Sequence, residues 1–423
     1  MSHYPCYSSK IGRIGMAAAT GPLRRAHFVQ AREGAADSPS NTVYVNTPES
    51  SAKPPVPAAR REVALDGLRG VAIALVLWHH FVEQSLPPGR ASWLGWLRAA
   101  TGLSWCGVDL FFTLSGFLIG GILIDKRDSP RFARIFYLRR AARILPLYYV
   151  TLAVAGLALA LHIPGSFHLF PPWVYALFLT NFAIGFSGNW DWLPLSVLWS
   201  LAVEEQFYLS APWVVRRLRP RRLPWVLASI VALAEAARVA FVTASPARHF
   251  FPFVLPPFRV DGLALGFLAA WTARCDPSAP LRAFLCKNWP ILAGCGVGAM
   301  GALALLRPAE GAPILNCLGY LAIAAVFALI VFVVFVPKPP MLARVLEFRP
   351  LVNLGRHSYF VYLWHGLIGS SIIRALGGPD FTLNSAAGLA IVAVAIGSTW
   401  LAATASWKWF EGPLVEWGHR HHY

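Results

Sequence analysis

Charged side chains are scarce in this sequence. Asp, Glu, Lys and Arg make up 13% of its 423 residues, about half the roughly 25% of an average soluble domain. Acidic residues are the rarer sign, 20 against 37 basic ones. Cysteines number six, at 6, 106, 275, 286, 295 and 317, with no C-x-x-C and no metal-like Cys/His spacing. The shortage of charge excludes a soluble enzyme. With 56% hydrophobic residues and a mean hydropathy of +0.52, a water-soluble globule of this size could not hide its apolar surface. It also excludes a disordered scaffold. The cysteine pattern argues against a disulfide-stapled secreted domain and against zinc, so no metal is expected. The six read as small buried hydrophobes.

What is present is an alternation of long apolar runs with basic loops, the pattern of an all-α polytopic membrane protein. Runs long enough to cross a bilayer fall at 66–84, 103–124, 145–163, 195–215, 224–243, 258–274, 289–306, 315–336, 351–376 and 385–407; a spanning helix needs about 20 residues. The stretch 172–186 is short and follows two prolines, so it is a re-entrant or interfacial segment or an eleventh span. Charge decides between these. With 172–186 not spanning and the N-terminus inside, the cytoplasmic segments hold 28 basic residues. Tail 1–61 has eight, 125–144 seven, 216–223 five, 274–288 and 337–350 three each, and 408–423 two. The outer loops hold only Arg90, Arg98, Arg248 and Arg307. Making 172–186 a span would turn the five-arginine loop outward, against the positive-inside rule. The expected organisation is ten spans with both termini cytoplasmic: a disordered basic tail at 1–61, a membrane domain at 62–410 and a short tail at 411–423. No long apolar run follows the early charges, so a signal peptide is not read there, and Met16 is a possible alternative start.

An ionisable group at the centre of a membrane helix costs about 2.5–3.5 kcal/mol on insertion scales, so each one needs a reason. The first span reads LDGLRGVAIALVLWHHF. On an ideal helix Arg69 and His80 lie about 20° apart around the axis and about 16 Å apart along it. Asp66 sits one turn below Arg69, and His79 points roughly 80° away. Asp66 capping the helix and His80 as a satisfied buried histidine is the plainer alternative. The second span, GVDLFFTLSGFLIGG, embeds Asp109, which needs a partner. Its Ser115-Gly116 and Gly120-Gly121 pairs suit close helix approach, and Ser115 lacks a G-x-S-x-G elbow. In FYLRRAARILP, Arg139, Arg140 and Arg143 cluster at helical spacing. Guanidinium forks match phosphate oxygens, while a positive-inside anchor is the equal alternative.

In WSLAVEEQFYL, Glu204 and Glu205 point about 100° apart, so they are not a shared-proton dyad. One is free to pair with an Arg or His, the other to orient a base. Glu235 and Arg238 read as a self-satisfied pair. Arg259 and Asp261 in FRVDGLALG either line an acceptor entrance or anchor the interface. Ser358, Tyr362 and His365 in LGRHSYFVYLWHG share a helix face, with aromatic-belt packing as the competing account. The terminal GHRHHY is given no role.

Taken in order, these strings and the late WFEGPL resemble the membrane-bound acyltransferase family 3, which includes sugar and polysaccharide O-acetylases. They cover about residues 63–414. The family's R-x10-H pattern falls on Arg69 and His80, its R-x-x-R on Arg140 and Arg143. The resemblance implies transfer of an acyl group, acetyl first, from cytoplasmic acyl-CoA to a hydroxyl of an envelope or exported carbohydrate or lipid-linked saccharide. It also implies a bacterial inner-membrane location and no nucleic acid partner. Some relatives carry a further C-terminal hydrolase-like domain; with the chain ending at Tyr423, such an activity is expected from elsewhere or not at all. On this reading His80 is the base, oriented by Asp109 or by Glu204 or Glu205. Arg139, Arg140 and Arg143 grip the donor, Arg69 lines its route, and Arg259, Asp261, Tyr362 and His365 meet the acceptor. A transporter or flippase for a lipid-linked or small solute is the main rival.

Overall fold

The computed structural model describes residues 58–89, 92–161, 169–190, 192–245, 248, 250–275, 280–306 and 318–423. The basic tail expected over 1–61 lies outside the described residues up to 57, as do Arg90 and Arg307.

Among the described residues every regular element is helical. α1 (Ala58–Leu77) runs on through a π-helical turn (Trp78–Val82) and a 3-10 turn (Glu83–Ser85). α2 (Trp93–Ala100), α3 (Gly107–Lys126) and α4 (Phe132–Ala160) follow. Next come the short α5 (Pro172–Ala176), α6 (Thr180–Ser187) and α7 (Leu193–Ser196), then α8 (Leu198–Arg217) and α9 (Leu223–Ala244). α10 (Phe250–Val254), α11 (Pro256–Arg274) and α12 (Pro280–Leu306) precede α13 (Tyr320–Phe335), α14 (Pro340–Leu346) and α15 (Arg349–Arg356). α16 (Ser358–Trp364) passes through a second π-helical turn (His365–Ser370) into α17 (Ser371–Gly377). α18 (Ala386–Ser406) passes through a third (Trp407–Glu411) into α19 (Gly412–His419).

Among the described residues, six helical stretches are long and apolar enough to cross a bilayer: Val63–Ser85, Trp93–Lys126, Phe132–Ala160, Leu223–Ala244, Phe250–Arg274 and Ala386–His419. α13 and α14, bent by 101°, make a seventh if taken together. The molecule is an all-α polytopic membrane protein, and among the described residues the long apolar helices number six or seven against the expected ten. α8 has the length but carries Glu204, Glu205 and a terminal arginine pair. The apolar run 351–376 is divided among α15, α16, a π-helical turn and α17. The segment 172–186 forms α5 and α6, of five and eight residues, too short to span.

α3 and α11 form the centre of the bundle, packed on each other and in contact with α1, α9 and α13. In both, 72% of the most apolar stretch is buried, against 28% in α9 and α18, whose apolar faces remain open to lipid. The small residues anticipated in the second span make this contact possible. A Cβ on Gly116 would collide with the Leu263 backbone of α11, and one on Gly266 with the Thr113 backbone of α3. With no hydrophobic drive between helices in lipid, such backbone proximity supplies the packing.

Candidate functional site

Two of the cavities among the described residues bring anticipated residues together. The first is built on arginine. Asp66, one turn ahead of Arg69 on α1, takes an ion pair from its Nη1 at 2.7 Å. Arg140 and Arg143, three residues apart on α4, join Arg69 in the wall with Ser115 of α3, Glu204 and Tyr208 of α8, and Ser358, Tyr359 and Tyr362 of α16. The cavity measures about 710 Å³ counting its open part.

Glu204 would be expected to quench these cations, yet hydroxyls occupy its oxygens. Ser115 donates to Oε1 at 3.0 Å and Tyr208 to Oε2 at 2.7 Å. Neither Arg140 nor Arg143 forms an ion pair with a described carboxylate. Arg140 lays its guanidinium 3.8 Å from the centre of the Tyr208 ring and keeps a buried Nε without a hydrogen-bond partner. Uncommitted guanidinium donors suit an anionic ligand, phosphate above all.

The second cavity is built on histidine and measures about 1150 Å³ counting its open part. The π-helical turn after α1 places both His79 and His80 in its wall, and such turns are frequent at functional sites. The neighbouring π-helical turn places His365 against His80, ring centres 4.8 Å apart. Gly369 permits this approach, because a Cβ there would strike the Phe81 ring.

His80 Nδ1 lies 3.0 Å from the Val76 carbonyl. A carbonyl only accepts, so in the neutral ring Nδ1 carries the proton and Nε2 keeps its lone pair. His79 is held differently, between Glu83 Oε2 on Nδ1 and the Gln84 amide on Nε2, both at 3.0 Å. Ser104 donates to the same Glu83 oxygen. Trp105, Trp190, Trp199 and Phe253 supply an aromatic wall, and Asp109 and Arg259 complete the lining.

Val108 and Tyr362 line both cavities and so form the partition between them. The Tyr362 hydroxyl is 2.6 Å from Ser200 Oγ and donates to the Val197 carbonyl at 3.2 Å. Arg69 and His80, on one helix, therefore belong to adjoining chambers on either side of Tyr362.

The other anticipated residues are distributed as follows. Asp109 is engaged by Arg259 Nη2 at 2.6 Å, while His80 uses the Val76 carbonyl instead of a carboxylate. Glu204 stands in the arginine chamber; Glu205 lines neither chamber and has a buried, unpartnered Oε1. Arg139 also lines neither, since its Nε and Nη2 donate to the His421 carbonyl at 3.0 and 2.5 Å and it lies over the Tyr423 ring. Asp261 pairs with Arg238 at 2.7 Å. That joins it to the Glu235–Arg238 pair, which thus ties α9 to α11 instead of closing on itself. His365 is fully buried, its Nδ1 on the Tyr362 carbonyl at 2.8 Å and its Nε2 unpartnered. His79, Glu83, Gln84 and the tryptophans were not anticipated; ideal α-helical phase points His79 away, and only the π-helical turn brings it in.

The Acyltransferase domain family profile matches residues 62–407. The chain is 27% identical over 320 residues to O-acetyltransferase OatA of Staphylococcus aureus (strain NCTC 8325 / PS 47), covering 71% of this chain and 49% of that protein. It is 27% identical over 323 residues to Peptidoglycan O-acetyltransferase OatA of Listeria monocytogenes serovar 1/2a, covering 71% and 48%. The chain thus spans about half the length of these curated relatives. No solved structure matches.

Proposed function

We propose a function from one premise: the chain belongs to the membrane acyltransferase family 3, whose domain profile covers residues 62–407. It acts as an integral membrane O-acyltransferase. It moves an acyl group, acetyl by analogy with the relatives' names, from acyl-CoA to a carbohydrate hydroxyl. One observation carries this reading: an arginine-lined chamber and a histidine-lined chamber meet at Val108 and Tyr362.

The donor is the substrate of the arginine chamber. Arg69, Arg140 and Arg143 bind its phosphates, and Arg140's unpartnered Nε supports that fit. This chamber opens to the cytoplasm, because the flanking segment 125–144 holds seven basic residues. Both termini then lie inside, in a bacterial inner membrane. The thin thioester arm passes Tyr362 and presents its carbonyl in the histidine chamber, where the aromatic wall receives the acceptor sugar.

There His80 Nε2 takes the proton of the acceptor hydroxyl as its oxygen attacks the thioester carbon. The tetrahedral intermediate expels the CoA thiolate as the C–S bond breaks, and the His80 imidazolium returns the proton to sulfur. The donor never needs to leave its own side of the membrane, which separates this mechanism from transport.

Purified protein in lipid nanodiscs with radiolabelled acetyl-CoA and soluble peptidoglycan fragments or other saccharides tests the proposal. Label transferred to carbohydrate, ester-linked and released by mild base, is the expected result. Solute movement across proteoliposomes with no consumption of acetyl-CoA would establish the transporter instead.

A further inference from the structure

The histidine chamber contains a charged group whose donors its ion pair does not exhaust. Arg259, near the start of α11, is 2% exposed and lies in the same chamber wall as His80. Of its five N–H donors, one on Nη2 meets an acceptor, Asp109 Oδ1 at 2.6 Å. Nε and Nη1 are buried without a hydrogen-bond partner. Aromatic rings surround the guanidinium: its carbon lies 4.2 Å from the centre of Tyr320 and 5.6–6.0 Å from Phe112, Phe253 and Trp199.

Arg238 provides the internal comparison. It is equally buried and also keeps an unpartnered Nε, yet both its Nη groups are engaged: it donates to the Phe258 carbonyl and pairs with both Glu235 and Asp261, and it lines neither chamber. A packing arginine in this bundle is thus given acceptors on several sides. Arg259 is held on one side only, and left with donors to spare beside the proposed base.

We propose that Arg259 is the oxyanion-stabilising residue of the acyl-transfer step, and that Asp109 is its positioning residue. The inference rests on the acyl-transfer reading above. When the acceptor oxygen adds to the thioester carbon, the carbonyl π electrons move to oxygen. Arg259 N–H groups donate to that oxygen until the electrons return and the C–S bond breaks. A preorganised donor in a water-poor site is the arrangement that favours charge developing in the transition state. Aromatic walls exclude water, and Asp109 fixes the plane of the guanidinium while leaving its other edge uncommitted.

The test compares wild type with Arg259→Met, Arg259→Lys, Arg259→Ala and Asp109→Asn in nanodiscs, reading kcat, KM for acetyl-CoA and the affinity for CoA separately. Loss of one oxyanion donor typically costs about 10²–10³ in kcat. Arg259→Met should fall by about that factor with CoA affinity within about twofold of wild type. Arg259→Lys should retain more activity than Met, and Asp109→Asn should lower kcat with little change in KM. Added guanidinium ion should restore part of the activity of Arg259→Ala, and urea should not. The inference is overturned if Arg259→Met keeps kcat within about threefold of wild type. It is also overturned if all four variants lose CoA affinity in step with activity and guanidinium restores nothing. Absence of any transfer by wild type refutes the earlier reading, a result distinct from both.

Discussion

Replacing His80 by alanine separates the two chambers most sharply. The imidazole sits in the histidine chamber, whereas the arginines proposed to hold the donor line the other side of the Tyr362 partition. Arg69 lies eleven residues earlier on the same helix, about 16 Å along its axis. Donor binding should therefore be nearly insensitive to the substitution. The chemical step should not, since a positioned general base contributes about 10²–10⁴-fold, equivalent to about 2.7–5.4 kcal/mol of barrier. Stability should change little. The ring's hydrogen bond goes to the Val76 carbonyl within its own helix, worth about 1 kcal/mol net, and its ring contacts are with His79 and His365. Single-turnover transfer of labelled acetyl groups in nanodiscs, with CoA affinity measured on the same preparation, gives both readouts. His80→Gln adds a control, because an amide fills the space but accepts no proton. Wild-type turnover in either variant would remove His80 as the base. An equal collapse of donor affinity would contradict the two-chamber geometry.

Five further substitutions examine other parts of the structure. Arg140→Ala and Arg143→Ala should each weaken CoA binding about tenfold to a hundredfold, as loss of a charge-assisted hydrogen bond worth about 1.5–3 kcal/mol implies. Arg139→Ala should leave that affinity unchanged and instead loosen the C-terminal turn it holds through the His421 carbonyl, read as faster proteolysis of the tail. Gly116→Val forces a side chain into the Leu263 backbone; overpacking of this kind costs about 1–3 kcal/mol and should lower the melting temperature in detergent. Tyr362→Phe removes the hydroxyl bonded at Ser200 and Val197, a loss of about 0.5–1.5 kcal/mol. It should raise uncoupled hydrolysis of acetyl-CoA if that ring holds the partition in place, and leave it unchanged if the partition is inert.

Where side-chain chemistry alone sets the outcome, the sequence was informative. Small residues in GVDLFFTLSGFLIGG implied a close helix contact, and Gly116 makes one with α11. Arg140 and Arg143 at i, i+3 were expected on one side of a helix, and they share a cavity wall. A buried Asp109 demanded a partner, and Arg259 is that partner; a distance of 150 residues along the chain left its identity open. The count of spans was less legible, because hydropathy measures apolarity and not continuity. The run 351–376 is apolar enough for one helix, yet Arg356–His357 and a π-helical turn divide it.

The harder part of the site to foresee was its phase. An ideal helix puts Arg69 and His80 on one stripe and turns His79 aside, an inference that assumes 3.6 residues per turn throughout. The π-helical turn Trp78–Val82 breaks that assumption at the two histidines themselves. A wider turn leaves backbone carbonyls to be shared or satisfied locally, and the Val76 carbonyl is taken by His80 Nδ1. The backbone carbonyl that receives the ring proton leaves Nε2 as the free acceptor. The same logic recurs at His365, whose Nδ1 meets the Tyr362 carbonyl at its own π-helical turn. There, however, the ring lies between Phe81 and Tyr362 and His365 lines neither chamber. Two histidines with a similar backbone device therefore differ in access, and that difference supports the proposed base role of His80 over His365.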